Sequence, residues 1–290
     1  MTINRFYYID KPIGLTSFDV LRQMRKKLNI KKMWHTGTLD PLATGGLLVA
    51  VWNYTKLIPY FEKDSKEYIF TVELNGVTPS FDAETPVDYI SDELQQKFKK
   101  ELTQEKIEKI LQENFFWEIQ QVPPKYSALK INGKKALEKV RSGEEFEMKI
   151  RNTTIFEIEV LEFSYPQVTI RAKVAAGTYI RSIAFDLWEI IGSGWYVSFL
   201  RRTKIDELQV EDAQNLDDFD EEKYFDDKKL FWAEKFISLP EKVLIKINNG
   251  LPVTYPDFDK PDGEYFVENQ EGITNIVSYQ RPILKAKRKI

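Results

Sequence analysis

A short segment holds the residues best suited to chemistry. "HTGTLDPLATGG", from His35 to Gly46, contains a single carboxylate, Asp40, and the only histidine of the chain. Pro41 favours extended backbone at the preceding residue, and the surrounding threonines and glycines can hydrogen-bond and bend the chain. Asp40 is therefore predicted to lie in a loop with its carboxylate presented outward. The alternative is an Asx-turn that only caps the loop.

A second candidate is an arginine at the start of a predicted helix. In "GTYIRS", Gly177 to Ser182, Arg181 falls in the first helical turn, where a cation meets the positive end of the helix dipole. A cation is mildly unfavourable at that end of a helix. A nearby anion, either a carboxylate such as Asp40 or a phosphate, would offset this cost. A surface arginine with no role is the competing interpretation.

A third segment, "QQVPPKYSALKINGKKALEKVRSG", mixes cations with one aromatic residue. Such a mixture can follow a phosphate backbone and stack on a base, although a solvated helical hairpin would look the same. Tyr68 lies on an alternating strand, and its period alone favours a core position. In the third segment the aromatic residue is Tyr126, and its cations include Lys125, Lys130, Lys134, Lys135 and Arg141.

Composition removes several classes of chemistry. The chain has no cysteine and one histidine, which excludes disulfides, thiolate nucleophiles and zinc clusters. No phosphate-binding glycine motif follows a candidate strand, so no nucleotide cofactor or metal is expected. Neither an apolar run of membrane-spanning length nor a signal-peptide pattern is visible, so we expect no membrane association and a cytoplasmic protein.

Charge is distributed unevenly. The net charge is −3, yet eleven acidic residues and one lysine lie between Asp206 and Asp227. The rest of the chain carries 41 basic against 34 acidic side chains. A basic body can attract a polyanion despite the negative total, although ordinary solvated surface charge is the alternative.

The elements that must position these residues indicate an α+β protein. "FYYID" predicts a strand, and the helix after it begins with a capping-box pattern at Thr16. "KEYIFTVELNGV" and "QVTIRAKVAAG" predict strands, and "TYIRSIAFDLWEIIG" predicts a helix that ends at Gly192. The stretch after residue 236 is expected to form short β-rich units.

Six motifs together resemble one family. "DKPIGLTS", "HTGTLDPLATG", "KEY", "QVPPKYSALKINGKK", "GTYIRS" and "FLRRT" occur in the order and at the spacing of the bacterial TruB family of tRNA pseudouridine synthases. The match spans about residues 5–205. The resemblance implies isomerisation of a uridine in the T-loop of tRNA to pseudouridine, without cofactor or metal.

The resemblance also implies roles for individual residues. Asp40 would be the catalytic aspartate, attacking C1′ or C6 or removing a C2′ proton. Arg181 would pair with Asp40 and keep it ionised, Tyr68 would lie on the uracil face and relay a proton, and His35 would fill the space left by the flipped base. Substrate or RNA contacts would come from Lys11, Pro12, His35, Thr38, Asp82, Lys125, Tyr126, Lys130, Tyr179 and Leu200.

The implied architecture has two parts. Residues 1–235 would form a pseudouridine synthase domain, with a mixed, mainly antiparallel central sheet flanked by helices. Within it, residues 120–150 would be an RNA-binding insertion that closes over the T-arm stem-loop of tRNA and orders on binding. Residues 236–290 would form a small PUA-like domain that touches the elbow or acceptor stem. A monomer is expected.

Three positions depart from the family pattern. Pro79 replaces an aspartate, Trp195 stands where a small residue is usual, and Asp206 occupies the place of a customary glycine.

Two rival hypotheses about the function stay open. The protein could bind and fold tRNA without catalysis, or it could perform the same chemistry on another RNA.

Overall fold

The computed structural model describes residues 4–61, 65–226, 229–256, 258–270 and 272–290. The helices in this part of the chain are α1 (Ser17–Leu28), α2 (Asp92–Glu101), α3 (Gln104–Asn114), α4 (Ala136–Arg141), α5 (Ile180–Ile191) and α6 (Glu241–Asn248). The strands are β1 (Arg5–Lys11), β2 (Met33–His35), β3 (Thr44–Val51), β4 (Lys66–Glu73), β5 (Gly76–Asp82), β6 (Asp88–Tyr89), β7 (Trp117–Gln121), β8 (Lys130–Ile131), β9 (Lys134–Lys135), β10 (Arg151–Ser164), β11 (Gln167–Val174), β12 (Trp195–Ile205), β13 (Leu208–Gln209), β14 (Gln214–Asn215), β15 (Phe236–Ile237), β16 (Val253–Thr254), β17 (Gly263–Asn269), β18 (Gly272–Gln280) and β19 (Ile283–Lys289).

A large mixed sheet forms the framework. Its main path runs β14-β1-β3-β12-β4-β11-β10-β7, and most neighbours on that path are antiparallel. The pairs β1 with β14 and β3 with β12 are parallel, as is the branch pair β5 with β12. The predicted α+β class with a mainly antiparallel central sheet is therefore confirmed.

Side-chain alternation explains how the helices cover this sheet. On β4, Tyr68, Phe70 and Val72 are buried, while Ile69 and Thr71 are only half-buried. The buried face joins a core that also contains apolar residues of α3 and α5. Both predicted helix ends are present: a capping box at Thr16 starts α1, and Gly192 in the left-handed conformation (φ 76°) ends α5.

A separate five-stranded sheet follows, in the order β15-β17-β18-β19-β16, as expected for a PUA-like unit. The sequence interpretation was wrong at one point in it, because residues 241–248 form helix α6 and not a short strand. Val243, Leu244 and Ile247 lie on one helical face and pack into the core of the second sheet. Pro240 immediately precedes the helix, at an end where its missing N–H costs nothing.

The two sheets share a hydrophobic cluster, which we call the junction core. It includes Phe6, Tyr54 and Phe61 from the first part of the chain and Phe266 and Ile276 from the second. Polar contacts reinforce this junction. Tyr60 Oη donates to Glu264 Oε2 at 2.9 Å, and Lys56 Nζ donates to the Lys289 carbonyl.

The three departures from the family pattern are accommodated locally. Pro79 is exposed on β5, and Trp195 is buried against Phe81, with ring centroids 4.7 Å apart. Asp206 adopts a left-handed φ of 51° in the turn between β12 and β13, and its N–H donates to the Ser65 carbonyl at 2.8 Å. Short polar side chains tolerate this conformation, which explains how an aspartate replaces glycine there.

Two further observations concern the sequence expectations. Asp227, the last residue of the acidic stretch, lies outside the described residues. Among the helices that the structure describes, none is long and apolar enough to cross a membrane.

Candidate active site

A cavity of about 620 Å³ opens where the loop between β2 and β3, residues 36–43, meets β4, β12 and the start of α5. We call this loop the Asp40 loop. Six of the predicted site residues line it together, although they come from four separate parts of the sequence. They are Thr38, Asp40, Tyr68, Tyr179, Arg181 and Leu200.

Hydrogen bonds fix the backbone on both sides of Asp40. The Ser17 hydroxyl donates to the Leu39 carbonyl (3.1 Å) and accepts from the Leu39 N–H (2.8 Å). The Gly14 N–H donates to the Pro41 carbonyl at 2.9 Å, and the Ala43 N–H donates to the Asp40 carbonyl at 3.1 Å. The loop is therefore held by its surroundings, and the Asp40 carboxylate is left for contacts within the cavity.

Two buried cations support this loop: Arg202 binds near both of its ends, and Lys11 binds the neighbouring turn and, at 3.4 Å, the Pro41 carbonyl. Arg202, which is fully buried, donates from Nε to the Gly46 carbonyl (2.7 Å) and from Nη2 to the Gly37 carbonyl (3.1 Å). Lys11 Nζ donates to the carbonyls of Pro12 (3.0 Å) and Leu15 (2.5 Å). Burial lowers the pKa of Lys11 to about 8, against partial compensation by the Asp40 charge.

Arg181 is the centre of the charged network. Its Nη2 lies 2.9 Å from Asp40 Oδ2, and its Nη1 lies 3.3 Å from Asp82 Oδ2. The same guanidinium donates to the carbonyls of Ser80 (2.7 Å) and Tyr126 (3.0 Å). The expected pairing with Asp40 is present, and two carboxylates offset the cost of a buried cation in the first turn of α5.

The charge state of Asp40 reflects competing effects. About a third of its side chain, 33%, remains exposed in the cavity. Burial raises the pKa of Asp40 above its ordinary value, while Arg181 lowers it and the Asp82 charge raises it again. Arg181 therefore acts in the predicted direction, because it favours the ionised carboxylate, although burial leaves the pKa of Asp40 above its ordinary value.

The remaining walls are aromatic and apolar. Tyr68 is presented by β4 and Leu200 by β12, and both are largely buried. Tyr179 is the N-cap of α5, and its N–H donates to Gln121 Oε1 at 2.8 Å while its carbonyl accepts from Gln121 Nε2 at 3.0 Å. Burial raises the pKa of Tyr179, so its hydroxyl is protonated at neutral pH.

Two predicted RNA contacts are buried in the structure. Lys11 is completely buried, and its ammonium donates to the backbone carbonyls of Leu15 and Pro41. Asp82 is also buried, behind Arg181, where it accepts from Ser80 Oγ at 2.7 Å. Both residues support the site from inside the protein.

The other predicted contacts lie around the cavity. Pro12 is exposed beside the Asp40 loop, and Lys125 and Lys130 are exposed in the 120–150 insertion. Tyr126 is half-buried there and contributes its carbonyl to Arg181. His35 is half-buried at the end of β2, and burial lowers its pKa to about 4, so its imidazole is neutral.

Sequence reasoning missed Arg202 as a residue of the cavity wall. The motif "FLRRT" contained the signal, because two adjacent arginines on a strand point to opposite faces of the sheet. Arg201 forms an ion pair with Asp10 (2.7 Å), and Arg202 turns inward. The described residues contain no group of carboxylates and histidine placed to hold a metal ion.

Comparison with known proteins gives consistent matches. A family model described as TruB family pseudouridylate synthase (N terminal domain) matches residues 25–180. The chain is 40% identical over 220 residues to tRNA pseudouridine synthase B of Phocaeicola vulgatus, covering 74% of this chain and 91% of the relative. It is 35% identical over 264 residues to tRNA pseudouridine synthase B of Clostridium tetani, covering 87% and 86%.

Solved structures share the fold. A chain from a crystal structure of a Cbf5-Nop10-Gar1 complex superposes with a TM-score of 0.62 at 23% identity, covering 98% of this chain and 84% of that one. At this identity the likeness concerns the fold alone. The extent of the family match and the identity to these relatives establish that the chain belongs to the TruB family of pseudouridylate synthases.

Proposed function

We propose that this enzyme converts a uridine in the T-loop of tRNA into pseudouridine, with Asp40 as the acting carboxylate. One observation carries the proposal. Asp40 is the carboxylate that reaches the cavity, and Arg181 directs it at 2.9 Å. The relatives named tRNA pseudouridine synthase B support tRNA as the substrate.

The reaction breaks the N1–C1′ bond of uridine and forms a C5–C1′ bond. Asp40 begins it by attack at C1′ or at C6, or by removing the C2′ proton. After rotation of the uracil, C5 loses its proton and N1 gains one, so the product has the same composition as the substrate. Tyr68, against the uracil face, is placed to relay the proton between these positions.

The target base must leave the RNA stack before Asp40 can reach it, because the reacting atoms are shielded in a folded loop. The cavity of about 620 Å³ has room for a flipped nucleoside. Tyr179 and Leu200 provide its walls, and His35 fills the gap left in the RNA. A neutral imidazole suits stacking, and the pKa of about 4 for His35 provides one.

The decisive experiment is conversion of a T-arm stem-loop transcript by the wild-type protein and by Asp40→Asn. The product is detected by carbodiimide treatment followed by primer extension, since isomerisation leaves the mass unchanged. We expect product with wild type only. RNA binding without product would favour a tRNA-folding module, and activity only with added guide RNA would favour another target.

A further inference from the structure

An exposed tryptophan stands beside the Asp40 loop. Trp34 lies on β2 and is 48% exposed, although tryptophan usually buries most of its surface. Its ring lies nearly parallel to that of His35, with centroids 5.4 Å apart and an interplanar angle of 17°. The pair forms a flat aromatic surface whose outer part is open to solvent.

The position of Trp34 relates it to the cavity. Trp34 pairs with Ala50 of β3, which fixes the strand, and His35 and then Thr36 follow along the chain. Thr36 lines the cavity. Two residues of extended chain span at most about 7 Å, so the Trp34 ring lies within reach of a nucleotide adjacent to one held in the cavity.

Exposed cations precede this aromatic pair along the chain. Lys31 and Lys32 precede Trp34 and are exposed, and Lys32 Nζ is held by Asn53 Oδ1 at 2.7 Å. Lys56 lies close enough to Lys32 and Arg288 that their charges, after burial, lower its pKa. Arg288 reaches back to the Lys56 carbonyl at 3.3 Å, so β19 contributes to the same basic surface.

We propose that Trp34, backed by His35 and flanked by Lys31 and Lys32, is a stacking platform for an unpaired RNA base next to the nucleotide that enters the cavity. An aromatic face among cations is the arrangement that binds single-stranded nucleic acid, because the ring takes the base and the ammonium groups take the phosphates. This inference rests on the proposed function and adds a second base-binding position to it.

The first test compares three variants for affinity to a T-arm stem-loop, measured by fluorescence anisotropy. Trp34→Ala should weaken binding about tenfold, within the range for base–aromatic stacking. Trp34→Phe keeps an aromatic face and should remain within about threefold of wild type. Trp232→Ala is the matched control, since Trp232 is 70% exposed near the acidic stretch and should have no effect.

The second test identifies the base. The nucleotides on either side of the target uridine are replaced in turn by an abasic residue. At one of these positions, the abasic replacement should reduce the affinity of wild type by as much as Trp34→Ala does. With the Trp34→Ala protein, the same replacement should cause no further loss of affinity. KM should rise in Trp34→Ala with little change in kcat, because the platform binds and does not react.

Equal T-arm affinity of wild type and Trp34→Ala would overturn the inference, even if wild type converts the uridine. Binding to phosphatidylserine vesicles that needs Trp34, with RNA binding unaffected, would also overturn it. If wild type fails on the T-arm, the proposed function is wrong. Quenching of tryptophan fluorescence by an oligouridine then decides the inference separately: equal quenching in Trp34→Ala contradicts it, and reduced quenching supports it.

Discussion

Asp40 is a carboxylate on which burial and charged neighbours act in opposite directions. Burial and Asp82 raise its pKa, and Arg181 lowers it. An aspartate in this state binds a proton more readily than one in water, which suits the proposed route in which Asp40 removes and returns the C2′ proton. The same environment makes the ionised form costly for the folded protein.

Asp40→Asn should abolish turnover while T-arm affinity stays within a few-fold, since the side chain does chemistry and does not hold phosphate. The variant should also be more stable at pH 7. Because the pKa of Asp40 is higher in the folded than in the unfolded protein, its protonated form stabilises the fold below the unfolded pKa of about 3.9. This contribution is lost as pH rises through the folded pKa, and the uncharged Asn side chain avoids that loss. We expect a higher free energy of unfolding than that of wild type at pH 7, measured by urea denaturation.

Near-wild-type conversion by Asp40→Asn would remove Asp40 from the mechanism. A loss of stability would show that the ion pair with Arg181 outweighs burial. In Asp40→Asn, Arg181 keeps Asp82 and two carbonyls as partners, so its charge remains compensated.

The acid limb of the pH–rate profile should lie above the ordinary range of an aspartate, because Asp40 must be ionised to act. Asp82→Asn removes a charge that raises the pKa of Asp40 and should move this limb to lower pH. Asp88→Asn is the control, since it removes an exposed carboxylate on β6, away from the cavity lining. An unchanged limb in Asp82→Asn would contradict the assigned electrostatics.

The family resemblance predicted that Asp40, Tyr68 and Arg181 act together, and all three line one cavity, whereas strand period alone favoured a core position for Tyr68. The resemblance could not distinguish a side chain that faces the cavity from one that supports it, and Lys11 and Asp82 are the examples. Both carry the charge expected of an RNA contact or an acid, yet neighbouring elements cover them completely. Burial of a polar residue depends on tertiary packing, which local sequence does not record.

At the scale of elements, the Asp40 loop depends on close approach between β3 and β12. Gly45 has φ 104°, and a Cβ atom there would lie 2.2 Å from the Arg202 carbonyl oxygen. The strand pairing between Gly45 and Arg202 leaves no room for any side chain. The loop is thus anchored at its C-terminal end by a contact that only glycine permits.

Gly45→Ala should lower the free energy of unfolding by at least about 2 kcal/mol more than Gly143→Ala. Gly143 also has a positive φ, 70°, but a Cβ there meets nothing within 4 Å, so it reports the backbone cost alone, about 1 kcal/mol. Chemical denaturation of both variants measures the difference. If both variants lose the same free energy of unfolding, the structure accommodates a Cβ atom at Gly45 by letting β3 and β12 move apart.

Elements with a clear period were predictable. Local sequence was enough to predict three features: the capping box of α1, the alternation of β4 and the terminal glycine of α5. Helix α6 was missed because "KVLIKI" also alternates in the manner of a strand, and its packing against the second sheet decides the outcome. Short apolar runs remain ambiguous for this reason.

At the scale of the whole molecule, the junction core ties the second sheet to the first. It places Phe6, Tyr54 and Phe61 in one apolar cluster with Phe266 and Ile276. A shared apolar core of this kind couples the unfolding of both parts, in contrast to domains joined only by a linker.

We therefore expect one cooperative unfolding transition for the full chain. All six tryptophans precede residue 236, so their fluorescence reports the first part only. The chain lacks cysteine, and a dye on Lys285→Cys reports the second part. The two urea midpoints should coincide, and Phe266→Ala should lower both together. A dye transition at lower urea than the tryptophan transition would indicate independent units.

Arg181 also connects two parts of the molecule that have different tasks. Its Nη2 contacts both the Asp40 carboxylate and the Tyr126 carbonyl, which lies within residues 120–150. Any displacement of that carbonyl therefore reaches the reactive oxygen through a single side chain. In such an arrangement, we expect an RNA that binds in the wrong position to differ from the correct one in kcat more than in binding affinity. Selectivity would then be set by the reaction rate.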